Sequence, residues 1–101
     1  MGVRGLNKVI RQTVKGQLYM YPVLAGEDTD FARQWCGVID AALAALPDDR
    51  RRAMEFRYVL KYTEQRVLDE MPVGRTTWLK WRADFLADVA IRAAYVQLIH
   101  P

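Results

Sequence analysis

The sequence predicts an all-α fold of about five helices, with a helix-turn-helix and a long final helix in its C-terminal half. Three observations carry this. Apolar residues recur at spacings of three and four in five separate stretches, the period of an α-helix. No strand-period segment runs beyond a few residues. Breakers and caps fall between the stretches, at Pro22, Thr29, Pro47, Thr63 and Pro72.

The first helix is expected from about Val3 to Met20. Leu6, Val9, Ile10, Val14 and Leu18 form one stripe, and Arg4, Lys8, Arg11 and Lys15 line another face. Tyr21-Pro22 should end it, because a residue before proline is pushed out of the α region. Residues 22–28 then read as a loop. The second helix starts near Asp28 or Thr29, either of which can cap it. It places Phe31, Trp35, Val38, Ile39, Ala42 and Leu46 on one face and stops at Leu46-Pro47. The third starts with Pro47 as its first residue, with Asp48 and Asp49 favourable at the positive end of the helix dipole. Ala53, Met54, Phe56 and Val59 give it apolar contacts, and it ends near Lys61. The fourth is short, capped by Thr63, with Val67, Leu68 and Met71 facing inward and Pro72 closing it. The fifth begins near Gly74 or Arg75 and extends as far as Leu98, with Trp78, Trp81, Phe85 and Val89 at helical spacing.

The 101 residues fit one domain, divisible into an N-terminal helical segment over 1–46 and the helix-turn-helix over 47–98. At 51% hydrophobic residues the chain is too apolar to be disordered. No apolar run reaches the ~18 residues of a membrane span, and the basic N-terminus lacks the apolar core of a signal peptide. A cytoplasmic protein is the expectation. Cys36 and His100 are single representatives of their types, so neither a disulfide nor a metal cluster is expected. Cys36 reads as a small core residue and His100 as a solvated near-terminal one. There is no glycine-rich phosphate loop and no Cys/His pair, and Glu55, Glu64, Asp69 and Glu70 read as helix-surface residues. The expectation is a non-enzyme without a cofactor.

The net charge of +3 is unevenly spread. Residues 1–26 carry +4, residues 27–49 carry −5, residues 50–82 carry +5 and the remainder −1. Two basic blocks separated by an acidic one point to a polyanionic partner.

The stretch from Thr63 onward explains which partner. A short helix, a Pro72-Val73-Gly74 turn and a longer helix make a helix-turn-helix. The first helix braces the second, Val73 is the apolar residue that sets the angle, and the second helix offers its N-terminal side chains to the major groove of double-stranded DNA. Those side chains are Arg75, Thr76, Leu79 and Lys80. Arginine and lysine can donate to guanine, and threonine or leucine can touch a thymine methyl. Arg50, Arg51, Arg52, Lys61, Arg66 and Thr77 are candidates for phosphate contacts. Trp78 and Trp81 would anchor the helix to the core.

The run ALAALPDDRRRAMEFRYVLKYTEQRVLDEMPVGRTTWLKWRADFLADVA resembles the fourth conserved region of sigma factors. The whole chain is similar to the RinA/ArpU-type phage late-gene transcriptional regulators, with QLYMYP at Gln17 to Pro22 resembling a signature near the start of that family. The sequence departs from the sigma pattern at Leu68, where alanine is usual, at Pro72, where glycine is usual, and in the bulk of Trp78 and Trp81. The resemblance implies DNA binding near promoters with RNA polymerase as a further partner, and it leaves activation and repression both open, late-gene activation being the leading reading. Two alternatives stand beside it. One is a small terminase subunit that binds packaging-site DNA and forms rings. The other is an interaction module that contacts RNA polymerase or a repressor and touches no DNA.

From Val89 to Ile99 only Arg92 and Gln97 are polar. A helix apolar nearly all round needs cover on more than one face. Ile91, Tyr95, Leu98 and Ile99 are therefore expected to form a homodimer interface, unless the N-terminal stripe folds back over them.

Overall fold

The computed structural model describes residues 8–99, and among these every regular element is a helix. The order is α1 (Lys8–Leu24), α2 (Asp30–Ala44), α3 (Asp48–Tyr58), α4 (Glu64–Glu70) and α5 (Arg75–Tyr95). The all-α class with a long last helix is thus as the periodicity predicts. No described helix is long and apolar enough to cross a membrane.

α1 buries Val14 and Leu18 and packs across both α2 and α5. It differs from the sequence reading in two ways. The helix passes through Pro22 and ends at Leu24, so the loop is shorter than 22–28. Proline forfeits one N–H bond near the helix end, and burial of Leu24 rewards the extra turn. Val9, counted on the apolar stripe, is 73% exposed. Leu6, Val3 and Arg4 lie outside the described residues, as does His100.

Thr29 caps α2, its Oγ1 accepting from the Ala32 N–H at 3.1 Å. Trp35, Val38, Ile39 and Ala42 are buried as expected, but Phe31 is 54% exposed. It sits in the first turn, where Ala32 and not Phe31 is the buried residue. The Tyr21 hydroxyl donates to Asp40 Oδ1 and ties α1 to α2. Cys36 is half-buried against the core.

Pro47 is the N-cap of α3 and not its first helical residue, since its ψ of 156° is extended. Ala53 and Met54 are fully buried, Phe56 packs at the edge, and Val59 is exposed just past the helix end at Tyr58. The core gathers these with Val67, Met71, Trp78, Trp81, Phe85, Leu86 and Val89. α5 ends at Tyr95 and not at Leu98. Gln97 then adopts a left-handed φ of 64°, and the Leu98 N–H returns to the Ala93 carbonyl at 2.8 Å. This reversal turns Ile99 inward.

Candidate nucleic-acid interface

The position of α5 is set by α4. Thr63 caps α4, its Oγ1 accepting from the Arg66 N–H at 3.2 Å. Val67 and Met71 are buried on its inner side, and Leu68 is half-buried. Met71 leaves the helix in an extended conformation, Pro72 follows, and the half-buried Val73 packs on the core. The turn then delivers Gly74 as the N-cap of α5.

A second link fixes the angle between the two helices. Glu64 Oε2 accepts from the Trp78 indole N–H at 3.2 Å and pairs with Arg82 Nη1. Glu64 has the spacing of a helix-surface residue, but its side chain is only a quarter exposed. It closes a clamp between the first residue of α4 and the middle of α5. No short-range pattern announces a pair 14 and 18 residues apart, so periodicity could not find it. Trp78, Trp81 and Phe85 are all buried and anchor the inner side of α5.

The outer side of the same helix start presents Arg75, Thr76, Thr77 and Lys80, all exposed, while Leu79 is half-buried at the edge. Arg75 makes no ion pair among the described residues, and Lys80 Nζ lies 3.8 Å from Asp84. The first turn of α5 holds no acid, and Gly74 supplies no side-chain cap. Its N–H groups therefore stay open at the positive end of the dipole, a favourable setting for a phosphate oxygen.

The candidate phosphate contacts are less uniform. Arg66 is exposed, its guanidinium carbon 3.8 Å from the Tyr62 ring centroid. Arg50 stacks over Trp81 at 5.4 Å. Arg51 pairs with Asp48. Arg52 lies over Phe56 at 5.7 Å and shares a groove with Asp48, Asp49 and Glu70. The consecutive arginines thus diverge, because successive residues on a helix point about 100° apart. Lys61 holds a left-handed φ of 63°, and its ammonium engages the Tyr19 carbonyl and ring. Lys61 is committed to α1, so Arg52, Arg66 and Thr77 are the candidates that are exposed and make no ion pair among the described residues, Arg52 facing a groove that also holds acids.

On the far part of α5, Ile91 is 65% and Tyr95 90% exposed. With Val96 they border an apolar groove of about 550 Å³ against Gly37, Val38 and Ala41 of α2. Leu98 is half-buried and Ile99 is buried within the chain, so the expected four-residue patch reduces to Ile91, Tyr95 and part of Leu98. α1 folds back over another side of α5 and leaves this one uncovered.

Comparison with models of known protein families, with curated proteins and with solved structures found no match.

Proposed function

We propose that this chain is a sequence-specific DNA-binding transcriptional regulator of the phage late-gene type, which reads the major groove with the start of α5. One observation carries the reading. Arg75, Thr76, Thr77 and Lys80 lie exposed on the first turns of a helix whose opposite side is locked by Trp78, Trp81 and the Glu64–Arg82 pair. Rigid presentation of that kind is what direct base readout needs. Arg75 would donate to guanine, Thr76 and Leu79 would meet thymine methyls, Lys80 would take a second base, and Arg66 and Thr77 would hold phosphates.

The active form in this reading is a homodimer joined through Ile91 and Tyr95. The exposed apolar groove between α2 and α5 supports it, because a second copy of Tyr95 would be covered there. A two-fold arrangement would also set two recognition helices on one duplex. RNA polymerase is the further partner, contacted from the promoter-bound dimer, and the compartment is the cytoplasm of the host cell.

The test is selection of bound sequences from random duplex DNA by the purified protein, with its mass measured by light scattering. A recovered two-half motif and a dimeric mass are the expected result. A large ring would favour the terminase alternative, and no enrichment with no salt-dependent affinity would favour the interaction module.

A further inference from the structure

A cavity of about 380 Å³ is lined by Lys15, Gly16 and Tyr19 of α1, Arg57 and Tyr58 of α3, and Arg82 of α5. Its volume falls within the range of small-ligand pockets. Cations from three helices converge there, and Glu64, paired with Arg82, is the one carboxylate that engages any of them among the described residues. Arg57 gives one Nη to the Tyr62 carbonyl at 3.0 Å, but its Nε is buried with no hydrogen-bond partner. A buried donor left unpaired is costly, and a guanidinium donor more so.

Lys61 borders the cavity through Tyr19, its ammonium lying 3.7 Å from that ring centroid. Burial first, and then the neighbouring Arg57, push the Lys61 ammonium below its usual range. The like charges crowd together with little to balance them. An oxyanion with several acceptor atoms answers this excess of positive charge. It neutralises the cluster, accepts from the second Nη of Arg57, and takes further donors from Lys15 and Arg82.

We propose that this cavity binds a phosphate group, held by Lys15, Arg57 and Arg82, with the Tyr19 and Tyr58 rings as its walls. The phosphate is that of a small phosphorylated ligand or of a nucleic-acid backbone. The proposal does not rest on the base-reading role of the α5 start, and its first test contains no DNA.

The experiment titrates inorganic pyrophosphate into the full chain and follows backbone amide shifts by NMR. Saturable shifts at Gly16, Arg57, Tyr58 and Arg82 are expected. Lys15→Glu and Arg57→Gln should each weaken the apparent Kd about tenfold or more, the effect of one lost charge-assisted hydrogen bond. Arg11→Glu changes a neighbouring exposed cation of α1 outside the cavity and should leave the Kd unchanged. Random duplex DNA separates the two sources. If the phosphate is a backbone phosphate, Lys15→Glu lowers duplex affinity and its salt slope more than Arg11→Glu does. If it belongs to a small ligand, the two variants bind duplex equally while only Lys15→Glu loses pyrophosphate. Shifts that fail to saturate, or an equal loss in Arg11→Glu, would overturn the site, because diffuse screening would then explain the response. Lys15 is exposed, so its variant keeps the test valid should Arg57→Gln fail to fold.

Discussion

At the scale of single residues, the proposed reading assigns binding to one side of α5 and stability to the other. Arg75 is exposed and makes no ion pair among the described residues, so Arg75→Ala should leave the fold intact and weaken the proposed specific DNA binding by ~1–3 kcal/mol, the cost of a lost base contact. Unchanged affinity and sequence preference in a binding titration would remove Arg75 from the base-reading set. Trp78, on the inner side, is fully buried and bonded to Glu64. Trp78→Ala should cost ~3–5 kcal/mol of stability in chemical denaturation, enough to unfold a domain of ordinary stability. Two tyrosines give the fold an alkaline limit. Burial first, and then Asp40, which accepts its hydroxyl, hold the Tyr21 phenol well above its ordinary range, and burial raises that of Tyr58 against the opposing pull of Arg82 and Arg57. Both stay protonated in the fold where the unfolded chain's tyrosines ionise, near pH ~10. The unfolded state then binds fewer protons, so stability falls as pH rises through that value. Tyr21→Phe and Tyr58→Phe should flatten this decline in urea melts between neutral pH and the alkaline range. An unaltered slope in both variants would show that other groups set it.

At the scale of elements, the start of α5 is where stability and binding ask for opposite residues. Gly74 is the N-cap, its φ of −80° suits any residue, and a Cβ there would meet nothing within 4 Å. Gly74→Asp should therefore gain a few tenths of a kcal/mol as a better cap. The same carboxylate would sit where a DNA phosphate is expected, so affinity for duplex should fall. A variant that gains stability and keeps full DNA affinity would contradict the placement of DNA at this helix end. The elements were largely legible in the sequence, since capping and periodicity are local. Thr29 and Thr63 cap as their positions announce, and the Met71 to Gly74 turn falls where its proline and glycine place it. What sequence missed depends on distant partners. Pro22 is carried inside α1 because Leu24 finds the core, Phe31 is exposed although Ala32 beside it is fully buried, and Ile99 turns inward after a left-handed residue that no periodicity marks. The exposed set at the start of α5 was legible for the same local reason. The Glu64–Arg82 clamp and the cationic cavity were not, since both join residues far apart in the chain.

At the scale of the whole molecule, charge and apolar surface point to two kinds of partner. The acids of the −5 block over 27–49 mostly flank α2 and open α3, while the +5 block over 50–82 runs through the rest of α3, α4 and the start of α5, so the basic part coincides with the helix-turn-helix. Association with a polyanion through it should be steeply salt-dependent. The groove between α2 and α5 asks instead for an apolar partner. Tyr95→Glu would place a charge at the expected two-fold contact without touching the core, since Tyr95 is almost wholly exposed. Its expected outcome is a monomeric mass by light scattering with an unchanged melting temperature. A dimeric mass for this variant would move the interface elsewhere.

The central claim is that the exposed start of α5 reads DNA sequence. The most direct measurement is fluorescence anisotropy on a duplex carrying the selected motif and on a scrambled duplex, at several salt concentrations, with the wild type, Arg75→Ala and Arg66→Ala. The expected result is that Arg75→Ala loses affinity for the motif but not for the scrambled duplex. Arg66→Ala should lose affinity for both equally, with its salt slope shallower by about one. Equal losses on both duplexes for Arg75→Ala, or no salt-dependent binding by the wild type, would contradict the claim.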